Sequence, residues 1–189
     1  SLLFHPAFGE MQRSAGIALL DMTDESSPLF RQVVSVYPFR RRPITAEELT
    51  VMLELPTGTL TQRTLIFAVR MHPERPASAT SEFSELLARE TESHAAHQAR
   101  IALQGHHQWA SRFQAINAQL PPGLVAQEVC AESWPGQSLL EAAEECVDSW
   151  RQSSGHWGQV SRQASYYGYD MRQGRNGVWY ATGIFGRRR

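Results

Sequence analysis

The chain has 189 residues, 42% hydrophobic and 20% charged, enough to build one core of its own without metal or disulfides and too few for two full domains. That composition excludes disordered, collagen-like and disulfide-scaffold classes, and no run approaches the roughly 18 uninterrupted apolar residues of a membrane span. The net charge of -1 hides an asymmetry, because residues 80–152 hold four Arg against ten acids and residues 153–189 hold six Arg against one.

In chain order, residues 16–20 form an apolar run and residues 33–37 a strand-like one. Arg40-Arg41-Arg42-Pro43 reads as a loop, since three like charges precede a proline that disfavours helix at the residue before it. Thr45 with Glu48 makes a capping box, which predicts a helix ending before Pro56. A second such pair, Thr59 with Gln62, tips residues 60–71 toward helix, although Leu65, Phe67, Val69 and Met71 also alternate as in a strand. The proline-bearing run 72–80 reads as a linker or ordered loop. Phe83, Leu86, Leu87, Glu90, His94, His97 and Ile101 recur at three and four residues, one face of a long helix that stops near Gly105. After Pro135-Gly136 the box Ser138/Glu141 opens another helix, with Leu139, Ala143, Cys146, Val147 and Trp150 as its buried stripe, stopping before Gly155. From Gln163 the period becomes two, and Asn176-Gly177 is the hairpin signal. Helices followed by a terminal antiparallel hairpin predict an α+β domain with helices packed on a sheet.

Histidine is the commonest metal ligand and titrates nearest neutral pH, so the seven histidines are the first candidates for chemistry. His106 and His107 follow the long helix, His156 follows the Trp150 helix, and Glu132 lies between them in Cys130-Ala131-Glu132-Ser133-Trp134. Two histidines and a carboxylate from three separate loops suit a divalent metal with an open position. Plainer readings stand beside this one. His156 could bond a backbone carbonyl under the sheet, Glu132 could shape its own loop, and His94, His97 and Glu90 read as the polar shoulder of their helix. The tryptophans read as core before cavity wall. A Cys130–Cys146 disulfide, rated at about 3 kcal/mol by loop entropy, is set slightly ahead of two buried thiols. The tail arginines Arg162, Arg172, Arg175 and Arg187 to Arg189, among Tyr166, Tyr167, Tyr169 and Trp179, have the chemistry for an anionic polymer. The acidic overall balance argues against it, and no nucleic-acid partner is expected.

These elements in this order resemble the CAP superfamily, which includes the cysteine-rich secretory proteins, antigen 5, plant pathogenesis-related proteins and many bacterial secreted members. Gly155-His156-Trp157-Gly158-Gln159-Val160 matches the family's Gly-His-aromatic-small-Gln-aliphatic motif. Ala131-Glu132-Ser133-Trp134 matches its Gly-Glu-Asn-Ile motif at the glutamate. His106, with His107 as its substitute, falls where the family has a histidine after a long helix, and Tyr180-Ala181-Thr182-Gly183-Ile184-Phe185-Gly186 falls in the closing hairpin. The family's second acid would fall at Ser153, and the short loop before Gly155-His156 fits the bacterial branch. The resemblance covers roughly residues 80–186 and implies a three-layer α-β-α sandwich; the expected division is a CAP-like domain over residues 59–189, with residues 1–58, which share no such resemblance, as an extension packed on it. It also implies a secreted, periplasmic or cell-envelope protein with a cleft in which His106, Glu132 and His156 take a divalent metal, zinc first. The function implied is that of a binding or interaction module able to take a divalent metal, with a lipid or protein as the partner in the cleft and a lipid- or sterol-binding protein as one alternative. The other alternative is a metal-dependent peptidase or esterase, with Glu132 and His156 as its catalytic residues.

Overall fold

A computed structural model describes the backbone of residues 2–4, 14–20 and 33–40, and residues 44–188 with their side chains. The chain divides into two units, Ser1–Glu54 and Leu55–Arg189. In the first, strands β1 (Leu2–Phe4), β2 (Ser14–Leu20) and β3 (Val33–Arg40) form an antiparallel sheet in that order. Helix α1 (Ala46–Leu53) opens on the predicted capping box, with the Glu48 amide donating to Thr45 Oγ1 at 3.1 Å and the Thr45 amide donating to Glu48 Oε2 at 2.9 Å. Of the predicted arginine loop, residues 41–43 lie outside the described residues.

The second unit is an α+β domain. Helix α2 (Leu60–Met71) begins at the Thr59/Gln62 box, and a 3-10 turn at Ala77–Ala79 follows within the predicted loop. Strand β4 (Glu82–Phe83), helix α3 (Glu85–Ile101), helix α4 (Trp109–Asn117), strand β5 (Leu124–Glu132), helices α5 (Leu139–Gln152) and α6 (Ser154–Val160), and strands β6 (Tyr166–Gln173) and β7 (Trp179–Arg188) complete it. The sheet runs β4-β6-β7-β5, with β4 parallel to β6 and the other pairs antiparallel. The terminal hairpin turns where expected. Gly177 sits at φ 78, a conformation that favours glycine, and its amide donates to the Gly174 carbonyl at 3.0 Å.

Helices cover both faces of this sheet. On one face Leu87 of α3, Ile116 of α4 and Leu120 pack on Ala126 and Ile184. On the other, Trp150 of α5 packs against Tyr169, ring centroids 5.8 Å apart, and Tyr169 meets Phe185 edge-on at 5.5 Å. Each aromatic is essentially fully buried and contributes roughly 2 to 3 kcal/mol by its removal from water. Gly168 lets α3 lie close on β6, since a Cβ there would stand 2.4 Å from the Leu87 carbonyl carbon.

Three local readings are corrected. Phe83 belongs to β4, because Ser84 caps α3 by accepting from the Leu87 amide at 3.3 Å. His156 lies on a helix and not in a loop: Ser153 Oγ accepts from the His156 amide at 3.5 Å, and the chain turns directly from α5 into α6. Glu132 is the last residue of β5, paired with Tyr180, and so is not in a loop either. Among the described residues, no helix is long and apolar enough to cross a membrane.

Candidate metal centre

Alternation along β5 places Ala126, Glu128, Cys130 and Glu132 on the α3 face of the sheet. The Glu128 side chain is 1% exposed, and three residues from the covering layer meet it. His106, just beyond α3, brings Nδ1 to 2.9 Å from Glu128 Oε1. Arg112 of α4 bonds Glu128 Oε2. His94 of α3 has Nε2 3.9 Å from Oε1, but that nitrogen donates to the Gly105 carbonyl at 2.8 Å. Burial by itself would raise the Glu128 pKa; the bonds from His106 and Arg112 overcome it and hold the carboxyl below its usual range.

His106 and His156 come together. Their ring centroids are 5.8 Å apart at an interplanar angle of 43°. Helix α6 packs on β5, and Gln159 of that helix bonds Arg187 on the sheet face opposite Glu128. The two imidazoles therefore reach each other around the β5 edge of the sheet. Because an ionised carboxylate only accepts, His106 Nδ1 is the donor in this contact, and Nε2 is the ring nitrogen left free of Glu128. Burial, with the neighbouring His106 adding to it, holds the His156 pKa below the usual value, so this ring is neutral at pH 7.

The remaining predicted residues fall elsewhere. Glu132 is exposed and lies four residues up β5 from Glu128, roughly 13 Å at the rise of a strand. His107 donates from Nε2 to the Leu103 carbonyl at 3.2 Å and packs against His97, not against His156. His94, read as a polar shoulder, is 2% exposed and belongs to the cluster. His94, Glu128 and Cys130 offer donor atoms within 4.8 Å of one another, a group that could hold a metal ion. Each is otherwise engaged: His94 with Gly105, Glu128 with Arg112, and Cys130 as a thiol that burial keeps protonated.

Cys130 and Cys146 are free and buried. The disulfide is ruled out by placement, since Cys130 faces α3 while Cys146 lies on α5 across the sheet. The tail does not combine its arginines and aromatics as one stacking surface. Tyr167 and Tyr169 are core residues, Arg187 is buried, and Arg172 pairs with Glu92. The tryptophans are held separately: Trp150 is core, Trp109 packs on Phe113, Trp157 donates to Glu74, Trp179 donates to the Gln137 carbonyl, and Trp134 is exposed.

Glu128 is the residue that sequence reasoning missed. A carboxylate amid Val125, Ala126, Val129 and Cys130 reads as surface punctuation unless the strand is recognised. The available signal was the apolar run, broken at Gln127-Glu128, that is bounded by Pro121-Pro122-Gly123 and Pro135-Gly136.

No family model matches this chain, and no curated protein matches it. Among solved structures it is similar to an outer surface protein from Borrelia burgdorferi, with a TM-score of 0.49 and 13% identity over 78% of this chain and 97% of that one.

Proposed function

We propose that the second unit is a CAP-like binding domain of an extracytoplasmic bacterial protein, and that His106 and His156 take up a divalent metal there, zinc by its affinity for neutral imidazole donors. The apposition of the two rings at 5.8 Å carries this reading. Glu128 on the Nδ1 side of His106 supports it, because a carboxylate there fixes the tautomer and raises the basicity of the nitrogen left for a metal. The bound ion would supply a Lewis-acid centre open to a donor atom of a lipid or protein partner. The CAP-like motif around His156 supports both the family reading and the secreted, periplasmic or cell-envelope location.

Binding is favoured over hydrolysis because, among the described residues, neither candidate carboxylate stands ready to move a proton. Glu128 is ionised and tied to Arg112, and Glu132 is exposed and roughly 13 Å up the strand. Calorimetric titration of zinc into the chelator-stripped protein tests the reading. Stoichiometric uptake is expected in the wild type and in Glu132→Gln, and none in His106→Ala or His156→Ala. Uptake that survives both histidine variants overturns the proposal, as does uptake abolished by Cys130→Ser alone, which would move the ion to the His94, Glu128 and Cys130 group.

A further inference from the structure

Where the α6–β6 connection meets the end of β7, an open cleft of about 550 Å³ is lined by Ser81, Ser165, Arg162, Arg187 and Arg188. Its charge is one-sided. Arg187, 6% exposed, donates from Nε to the Gln163 carbonyl at 3.0 Å, from Nη1 to Gln127 Oε1 at 2.6 Å and Gln159 Oε1 at 2.9 Å, and from Nη2 to the Arg162 carbonyl at 2.7 Å and the Gln159 carbonyl. Every acceptor is neutral. A buried guanidinium thus has its hydrogen bonds satisfied and its charge uncompensated. Burial, with Arg162 nearby, lowers its pKa to about 10 even against the opposing influence of Tyr169, so it remains a cation at neutral pH. Among the described residues, no carboxylate pairs with Arg162, Arg187 or Arg188.

A second observation is independent of charge. Ser81 Oγ is buried and has no hydrogen-bond partner, and leaving such a hydroxyl unsatisfied is costly unless something fills the place. Arg162 and Arg188 are exposed at the rim, and their guanidinium forks match oxyanions bidentately. A field of one sign between low-dielectric walls concentrates anions in the cleft. We propose that this cleft binds the phosphate or sulfate group of a small ligand, with Arg162 and Arg188 as the contacting forks, Ser81 as a hydroxyl donor and the buried Arg187 as a fixed positive charge in its wall. A tetrahedral group has three peripheral oxygens, one more than a carboxylate presents, and so can meet two forks and a hydroxyl together. The volume leaves room for the body of an ester. A polymer stacking on the tail aromatics fits less well, since Tyr167 and Tyr169 are in the core.

The test is calorimetry at low ionic strength, without zinc and with chelator present, using inorganic phosphate, inorganic sulfate and O-phosphoserine as probes. Saturable one-to-one binding is expected, weakened about tenfold by Arg162→Gln and by Arg188→Gln as a charge-assisted bond is lost in each. Ser81→Ala should weaken it severalfold at an unchanged unfolding temperature, and His156→Ala should leave it intact, which separates this cleft from the metal centre. Tighter binding of O-phosphoserine than of inorganic phosphate identifies an ester as the ligand; equal binding identifies the free anion. The proposal is overturned by an absence of saturable heat, by an equal response to chloride, or by binding that persists in the Arg162→Gln/Arg188→Gln double variant.

Discussion

At Glu128, burial and charge pull in opposite directions, and the partners decide the outcome. Its pKa lies below the usual carboxylate value, so the stabilisation it brings is complete above about pH 4.5 and is lost as pH falls through the folded-state value. Glu128→Gln would leave Arg112, 16% exposed, without its anion; breaking a buried pair costs about 3 kcal/mol at the low end of the range. Urea denaturation at pH 7 checks that figure, and the same variant should take up zinc ten- to a hundredfold more weakly, by analogy with other carboxylates that support metal-bound histidines. His94 gives a second pH dependence. Burial, opposed by Glu128 and aided by Arg112, lowers its pKa from 6.5 to about 4. Between those values the native imidazole is neutral while the unfolded one is protonated, so stability falls as pH drops from 6.5 toward 4. Linkage puts the loss from pH 7 to pH 5 at about 2 kcal/mol. Metal-free protein unfolded in urea at the two pH values should show it, and His94→Gln should flatten the slope.

At the scale of elements, the centre depends on how two helices are seated. Helix α3 carries His94 and delivers the chain to His106, and it rests on β6 where Gly168 leaves no room for a side chain. Gly168→Ala would drive a methyl into the Leu87 carbonyl carbon and the Ala88 amide nitrogen, at 2.4 and 2.5 Å. The contacted atoms are backbone, so the helix must shift. The expected cost is about 3 kcal/mol, with weakened zinc uptake from the displaced His106; an unfolding temperature equal to wild type would contradict this account. Helix α6 is seated differently. Trp157 packs on His72 at 4.9 Å and donates to Glu74 Oε2 at 3.1 Å, which ties the residue after His156 to the loop following α2. Strand β5, at the edge of its sheet, is guarded by α4, where Asn117 Oδ1 accepts from the Ala126 amide at 2.9 Å. An edge covered this way offers little to a foreign strand.

Across the whole molecule, what could be read from the sequence was what is decided locally. The capping boxes at Thr45, Thr59 and Ser138 are reciprocal bonds over three residues, and the hairpin turn needs only Asn176 and Gly177. Strand β5 escaped because Gln127 and Glu128 interrupt its apolar run, and a buried carboxylate becomes tolerable only through Arg112 and His106, 16 and 22 residues away. Helix α6 escaped because Gly155 and Gly158 read as helix breakers. The preference for His106 over His107 came from the resemblance alone, and what distinguishes the two rings in the structure is the contact of His106 with Glu128. The two cysteines show what a layered structure adds. Cys130 and Cys146 lie on opposite sides of one sheet, each sealed under its own helix and held as an unreactive thiol. A thiol-specific reagent added to the native protein therefore reads two separate clocks, one timing the lifting of α3 and the other the lifting of α5, and the order in which the thiols react reveals which side of the domain opens first.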